Sequence, residues 1–452
     1  MAYTETKTTS YGSRVKSSCG GIGFGVLLFI AGTVVLWWNE GRTVHTGDML
    51  DEVKGAYVEM ENPNKKDASL EGELIHATAM AETEDSLADT QFGVGAKAIA
   101  MKRRVEYYQW TEQQHSESKD KLGGKEETTT TYTYTKEWVS RPVESQNFKD
   151  AAYQGKNFVL TTVEPQDMFA EHVTFGAYKL SDSQIKGITS REDMELAVAE
   201  NVLKQLDQSA KTAYERFYGV SKTTKPAAEP AAETAVVLSD SAKAVADSIK
   251  AVTDSLMAVA ENKKDLEYVH QAGNMIYFGR VPGSPEVGDV RVTFEKVVPA
   301  KVTIMAVVDG DSFKPYKAKN DEMFQSLTMG KKSGEEVLQS AESSNNVMKW
   351  LLRLLGVILV ISGLKGIFGF IETILKVVPF VANIVGWGVG VVCTVVGVVW
   401  SLLVIAVAWL FYRPVLSICL IVVAALLIWL FAFKGKDKVK DLINKKGEAP
   451  KA

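Results

Sequence analysis

The hydrophobic positions of this chain fall into a few long blocks instead of being spread evenly. Residues 20–38 are nineteen consecutive uncharged residues, and residues 354–433 contain only four charges. An α-helix rises 1.5 Å per residue, so the first block can cross the roughly 30 Å hydrocarbon layer of a bilayer. Uncharged runs of this length are typical of transmembrane helices and exclude a soluble class for the whole chain. The pattern predicts an integral membrane protein.

The C-terminal third predicts three further spans after a first span at 20–38. Residues 377–412 are all uncharged, and one helix of that length would extend about 54 Å, too long for one upright span. Lys365, Glu372 and Lys376 recur on one helical face, which favours a helix lying in the interface. The predicted elements are a second span at 348–370, an interfacial amphipathic helix at 371–384, a third span at 387–411 and a fourth span at 414–433.

Residues 39–347, between the first two spans, mix strand and helix patterns. Polar and apolar residues alternate at 105–110 and 131–138, with Gly123-Gly124 between them, which predicts a long β-hairpin. Further strands are expected at 57–60, 74–80, 158–163, 275–278, 290–294 and 302–308. The helical signal comes as one block and does not alternate with the strands. We therefore predict a multi-pass α-helical membrane protein with four spans and a large extramembrane α+β domain.

The helical block, residues 195–262, contains a candidate interaction stripe. One helix is expected from 195 to 218, and a second follows a Pro/Ala-rich linker. The apolar positions of the second helix settle into spacings of four and three, which buries a narrow stripe against one partner. The stripe is formed by Leu238, Val245, Ile249, Val252, Leu256 and Val259. It either pairs with the preceding helix or forms an oligomerisation surface.

The charges predict which side of the membrane each segment occupies. The tail at 434–452 carries seven lysines, whereas residues 41–347 carry 36 Lys/Arg against 49 acidic residues, a net charge of −13. Positive flanks remain on the cytoplasmic side. We expect the tails 1–19 and 434–452 to be cytoplasmic and the domain at 39–347 to be translocated. So acidic a domain also argues against nucleic acid as a partner, because phosphates would be repelled.

No catalytic constellation emerges from the sequence. The five histidines are isolated, and none of the three cysteines lies in residues 39–347, so no enzyme activity, metal site or cofactor is expected. Lys365, Glu372 and Lys376 are candidate membrane charges, since ionisable groups in membrane segments are often functional. They either line an ion path or anchor the chain at the interface, and their clustering favours anchoring.

Several short motifs together resemble the transmembrane protein 43 (LUMA) family. The matching stretches are Asn39-Glu40-Gly41-Arg42, Arg104-Val105-Glu106, Tyr108-Gln109-Trp110, Glu137-Trp138, Asn147-Phe148, Pro285-Glu286-Val287-Gly288-Asp289, Arg291-Val292 and Trp409-Leu410-Phe411-Tyr412-Arg413-Pro414. The resemblance implies a multi-pass protein with a large lumenal domain, resident in animals in the endoplasmic reticulum and inner nuclear membrane. It also implies a scaffold that oligomerises and contacts other envelope proteins, and it carries over no catalytic residues.

Two functional hypotheses follow from these observations. The first is a non-enzymatic membrane scaffold that oligomerises and organises membrane or envelope protein complexes, with lipid, its own copies and other membrane proteins as partners. The alternative is a transport or sensor component that uses the intramembrane charges. The long block at 195–262 and the lack of an Asn-x-Ser/Thr sequon in 39–347 favour a bacterial inner membrane. The endoplasmic reticulum and inner nuclear membrane are the second choice.

Overall fold

Two large sheets and three long helices form the described part of the chain. The computed structural model describes residues 3–219, 266–377 and 379–413. The helices of this part of the chain are α1 (Tyr11–Ala56), α2 (Asp182–Gly187), α3 (Glu200–Tyr218), α4 (Gly334–Leu375) and α5 (Pro379–Tyr412). Within it, α1, α4 and the 385–412 part of α5 are long and apolar enough to cross a membrane. An integral membrane protein was the correct expectation.

The four-span, mainly helical layout was wrong. The described residues contain three membrane-crossing candidates, and the regular structure in the rest of the described chain is mainly antiparallel sheet, with α2 and α3 as its two α-helices. The expected α+β domain is therefore dominated by strands. The predicted fourth span, 414–433, and the tail, 434–452, lie outside the described residues.

The predicted interfacial helix at 371–384 is also not a separate element. Helix α4 continues without a break to Leu375, and α5 begins at Pro379. A proline is tolerated in the first turn of a helix, where its missing N–H has no intrahelical partner, but not in a helix interior. Pro379 thus starts a new helix in the middle of the predicted one.

The antiparallel pair α1 and α4 is held together by glycines. A Cβ on Gly25 would lie 2.8 Å from the Gly363 carbonyl oxygen, and one on Gly32 would lie 2.9 Å from that of Gly356. Such distances are below ordinary van der Waals contact, so only glycine permits this approach. Helix α4 begins at Gly334 and is capped by Ser333, whose side chain forms a capping box with Glu336.

The first sheet has eight strands and contains the predicted hairpin. From one edge to the other its main path is β1 (Tyr3–Thr9), β7 (Glu126–Val139), β6 (Ala100–Asp120), β14 (Val290–Val297), β13 (Met275–Phe278) and β12 (Val269–Ala272). Strand β11 (Arg191–Asp193) pairs with β14, and β8 (Gln166–Phe169) pairs with β6. The hairpin of β6 and β7 runs in register from Tyr107 opposite Val139 to Asp120 opposite Glu126. The N-terminal strand β1 continues this sheet along β7.

The second sheet has seven strands and joins the domain to the helices. Its main path is β10 (Tyr178–Lys179), β9 (Val173–Phe175), β3 (Leu74–Thr83), β15 (Ala300–Asp309) and β16 (Ser312–Lys314). Strand β19 (Ser326–Met329) pairs with β15, and β2 (Val58–Glu59) runs parallel to β3. Two small hairpins complete the described strands: β4 (Ser86–Asp89) with β5 (Val94–Lys97), and β17 (Tyr316–Lys317) with β18 (Met323–Phe324).

One predicted strand, 158–163, is wrong. This segment has no ladder pairing; its backbone N–H at Leu160 donates to Gly288, and its apolar side chains cover the core of the first sheet. The apolar run thus marked a core-covering loop. Helix α3 begins at Glu200 instead of 195; Leu196 and Val198 precede it and are already buried in that core, and the capping residue Ala199 has extended backbone.

Strand β15 is apolar on both faces because it separates two cores. One face packs into the domain, and the other packs against the ends of α1 and α4. We call the second cluster the coupling core; its buried members are Met49, Leu50, Val53, Leu74, Met305, Val307, Ala318, Phe324, Val337 and Leu338. The two membrane helices therefore extend into the domain as part of its hydrophobic core.

Candidate functional site

The three long helices meet at a buried ion pair that we call the helix junction, formed by Glu40, Arg353 and Trp409. The Nε and Nη2 atoms of Arg353 donate to the two carboxylate oxygens of Glu40 at 2.7 and 2.8 Å. The indole Nε1 of Trp409 donates to the same carboxylate at 2.8 Å. Glu40 is only 3% exposed. One carboxylate thus connects α1, α4 and α5 through charge-assisted bonds.

Two neighbouring contacts fix this junction. Asn39 donates its amide to the carbonyl of Lys349 at 3.1 Å, which orients α1 against α4. A Cβ on Gly41 would lie 2.6 Å from the ring of Tyr412, so a larger residue at this position would force that ring to move. The stretches 39–41 and 409–412, which lie far apart in the sequence, are therefore in contact.

The opposite ends of α1 and α4 hold a second charged group, which we call the tip cluster: Arg14, Asp120, Glu126, Glu372 and Lys376. Arg14 pairs with Asp120 at 2.7 Å and Glu126 at 3.6 Å, and it donates to the Gly124 carbonyl at 3.0 Å. Lys376 lies 3.7 Å from Asp120 and 3.4 Å from Glu372. The cluster ties the tip of the β6–β7 hairpin to both helices.

The structure separates the three candidate membrane charges. Glu372 and Lys376 join the tip cluster, whereas Lys365 is exposed on α4 two helical turns earlier. The six residues of the candidate interaction stripe, Leu238 to Val259, lie outside the described residues.

The hairpin and β1 form a polar ribbon beside the apolar helices; the polar ribbon is β1, β7 and residues 109–120 of β6. Arg14 and His45 on α1 are about 47 Å apart along the helix, and His45 already contacts the domain through Asn320. Strand β6 extends about 43 Å from Tyr107, which is buried in the domain core, to Asp120 in the tip cluster. The ribbon therefore spans the same depth as the apolar run 20–38.

A polar ribbon at the depth of the apolar helices cannot be surrounded by lipid. In hydrocarbon, non-helical backbone is tolerated only where it is buried in protein or lines water. Residues 112–119 are mostly exposed and read Glu-Gln-Gln-His-Ser-Glu-Ser-Lys. We infer that lipid does not contact this face of the ribbon. If the domain and residues 1–19 lie on opposite sides, the ribbon passes through the depth of the membrane.

A third polar group lies inside the domain, just before the first residue of β14. Asp289 is 2% exposed; it accepts the Tyr277 hydroxyl at 2.5 Å and the Glu286 backbone N–H at 2.8 Å. Burial raises the pKa of Asp289 to about 7, although the hydrogen bonds from Tyr277 and Glu286 act to lower this pKa. Burial likewise lowers the pKa of His270, whose ring lies 6.4 Å from that of Tyr277. Asp289 is thus a group that titrates near neutral pH.

His76 and His172 have structural partners rather than metal-site geometry. His76 bonds Glu59 through Nδ1 at 2.7 Å and the Lys332 carbonyl through Nε2 at 3.0 Å. His172 bonds Asp85 at 3.2 Å. Across the ranges described, no group of three His, Cys, Asp or Glu side chains could hold a metal ion.

Sequence reasoning missed the partners of Arg14. Its acidic partners are more than a hundred residues away, and no local pattern connects them. A signal for β1 did exist: residues 3–9 read Tyr-Thr-Glu-Thr-Lys-Thr-Thr, the same threonine alternation as in β7. That alternation indicates a strand before the first helix.

These features define a class: an integral membrane protein whose antiparallel-sheet domain is built onto a bundle of long helices. The family model described as transmembrane protein 43 matches residues 107–414, and the chain belongs to that family. It is 26% identical over 411 residues to transmembrane protein 43 of Rattus norvegicus, covering 89% of this chain and 86% of the relative. The Homo sapiens protein is 25% identical over 425 residues, covering 91% and 90%. The homolog from Drosophila melanogaster is 32% identical over 160 residues, 35% of this chain and 42% of the relative. No solved structure matches the chain.

Proposed function

We propose that this protein is a non-enzymatic membrane scaffold that oligomerises and organises membrane or envelope protein complexes. The observation that carries the proposal is the unbroken passage of α1 and α4 from their apolar segments into the coupling core. A domain joined in this way keeps a fixed orientation to the bilayer. A platform that must present binding surfaces at a set height above the bilayer needs such a connection. A flexible linker would not maintain that height.

Self-association tests the proposal directly. Two differently tagged full-length copies, expressed together and extracted into nanodiscs, should purify together, and the mass of the particle should be a multiple of the chain mass. Copies expressed separately and mixed after extraction provide the control for association during purification. Monomeric particles at every protein concentration would rule out an oligomeric scaffold.

We also propose an endoplasmic reticulum or inner nuclear membrane location. The named relatives are eukaryotic, which supports this second sequence-based choice over a bacterial inner membrane.

Sealed membrane vesicles of known orientation provide the topology test, in a background in which Cys19, Cys393 and Cys419 are replaced. Leu122→Cys, at the exposed hairpin tip, should react with an impermeant thiol reagent from the same side as Thr9→Cys. Labelling from opposite sides would contradict the position of the ribbon.

The transport or sensor alternative rests on Lys365 and Glu372 facing water. Glu372 is instead paired with Lys376, which in turn lies beside Asp120. This pairing supports a role in anchoring the ribbon. Double replacement Lys365→Ala/Glu372→Ala should leave ion flux through reconstituted protein unchanged, and a lost flux would favour the alternative.

A further inference from the structure

A surface groove runs along the outer face of α4 where this helix leaves the domain. The groove measures about 610 Å³, and all of its lining residues belong to α4. Glu342 and Asn346 line the end nearer the domain. The apolar residues at the other end, each 56% to 64% exposed, are Val347, Trp350, Leu351 and Leu354. The groove therefore changes from polar to apolar along its length.

The groove lies at the level where the apolar segments of the helices end. Its residue Trp350 is one turn from Arg353, which pairs with Glu40 at the helix junction, just beyond the apolar run 20–38 of α1. Exposed tryptophan is typical of the boundary between hydrocarbon and headgroups. The apolar end of the groove therefore faces lipid chains, and its polar end reaches the headgroup layer.

Lys349 places a positive charge at the edge of the groove. Its Nζ donates to Oδ1 of Asn346 at 2.8 Å, which holds the ammonium beside the groove. Among the described residues Lys349 forms no ion pair, whereas the neighbouring Arg353 is paired with Glu40. Arg413 also lies within electrostatic range of Lys349. An ammonium with donors to spare and other cations nearby favours a phosphate as its partner.

Glu342 supplies the opposite charge nearer the domain. Its side chain is exposed and has no ion pair in the part of the chain that the structure describes. It precedes Lys349 by seven residues, so the two charges lie on one helical face about 10.5 Å apart. A ligand that satisfies both must carry an anionic group next to its apolar part and a cationic group beyond it. Phospholipids with an amino headgroup carry phosphate and amine in this order.

We propose that this groove binds a phospholipid with an ethanolamine headgroup. Its phosphate lies beside Lys349, its ammonium extends toward Glu342, and an acyl chain follows Trp350 and Leu354 into the bilayer. The sequence of charges and apolar side chains along α4 thus matches the lipid from headgroup to chain. The site requires that α4 crosses the bilayer, and it does not depend on the scaffold proposal.

Native mass spectrometry of the full-length protein tests the phosphate contact. The protein is released from micelles that contain equal amounts of phosphatidylethanolamine and phosphatidylglycerol. The wild type should retain more phosphatidylethanolamine, because only this lipid carries an amine. Lys349→Ala should lower the retained phosphatidylethanolamine several-fold, whereas Lys349→Arg should keep it, since the charge is kept.

Lys365→Ala is the matched control for the loss of one charge. Lys365 is an exposed lysine of the same helix that does not line the groove, so its removal should leave lipid retention unchanged. Equal retention by the wild type and Lys349→Ala would overturn the site, because lipid would then bind only the general surface of the helices. Equal losses in Lys349→Ala and Lys365→Ala would overturn it as well.

Charge changes at Glu342 test the headgroup. Glu342→Gln should remove the preference for phosphatidylethanolamine, and Glu342→Lys should invert it, since two lysines favour an anionic headgroup. Both substitutions lie on an exposed face and leave the helix junction intact. An unchanged preference in Glu342→Lys would show that the amine is not recognised and would overturn the headgroup assignment.

Two further measurements distinguish other occupants of the groove. Water-soluble glycerophosphoethanolamine at the same concentration should not displace the lipid, because it buries no acyl chain. Displacement would identify a soluble phosphate ligand instead. In native membranes, with Cys19, Cys393 and Cys419 replaced, Val347→Cys labelled with a benzophenone maleimide should crosslink to phospholipid. A crosslink to a second copy or to another protein would overturn the lipid site. Copurification of tagged copies remains a separate result, since it does not require Lys349 or Glu342.

Discussion

The two ends of the α1–α4 pair are both held by charges, but in different ways. At the helix junction one buried carboxylate receives three short bonds from two helices. At the tip cluster two basic residues share three partly exposed carboxylates, mostly at 3.4 to 3.7 Å. A desolvated pair is costly to break because one charge is left buried, whereas exposed charges are rehydrated when they separate. We infer that the junction fixes the helices and that the tip cluster is an adjustable attachment of the ribbon.

The largest effect is expected from breaking the helix junction. Arg353→Ala leaves Glu40 buried without a counter-charge, which should lower the free energy of unfolding by about 3–5 kcal/mol. Arg353→Lys keeps the charge but loses the bidentate hydrogen bonding, so the free energy of unfolding should fall by less than in Arg353→Ala. Thermal unfolding in detergent provides the measurement. A melting temperature for Arg353→Ala no lower than that of Arg14→Ala would contradict the comparison.

The pH dependence of unfolding distinguishes the domain from the helix bundle. The pKa of Asp289 is raised from 3.8 to about 7 in the fold, so the folded state binds the proton more tightly than the unfolded chain. The stability from this group is fully present below about pH 4 and is lost as pH rises through 7. At about 1.4 kcal/mol per pKa unit, the change over this window is about 4 kcal/mol at most.

Asp289→Asn provides the control for this window. The amide does not titrate, so the variant should lose less stability than the wild type between pH 4 and 7. Melting temperatures of both proteins across that range test the difference. Parallel curves for the two proteins would show that Asp289 does not titrate there.

Glycine substitutions in α4 should give effects of opposite sign. A Cβ on Gly363 would lie 2.5 Å from the backbone nitrogen of Phe29, so Gly363→Ala should push the helices apart and cost about 1–3 kcal/mol. Gly369, on the same helix, has open space at its Cβ position. Gly369→Ala should stabilise the protein slightly, since alanine favours helix by up to about 1 kcal/mol. Melting temperatures that shift in the same direction would contradict the close packing of α1 and α4.

Local patterns predicted the elements better than their arrangement. The β-hairpin, β3, β13, β14 and β15 were expected close to where they occur, because alternation is a property of neighbouring residues. The break between α4 and α5 was misplaced because the charges that suggested an interfacial helix are paired across space, as Lys376 is with Asp120. The helix junction joins two family motifs whose contact depends on the helices packing together, so their spacing in sequence gave no sign of it.

The smallest effect is expected at the tip cluster. Arg14→Ala removes a residue that is 7% exposed, but its partners Asp120 and Glu126 lie close to water. The free energy of unfolding should fall by only about 1 kcal/mol, and raised salt should reduce the difference from the wild type. Hydrogen exchange should nevertheless rise in β1 and around the hairpin tip, because Arg14 also holds the Gly124 carbonyl. Unchanged exchange in these strands, or a loss of stability equal to that of Arg353→Ala, would mean that both ends of the helix pair are held in the same way.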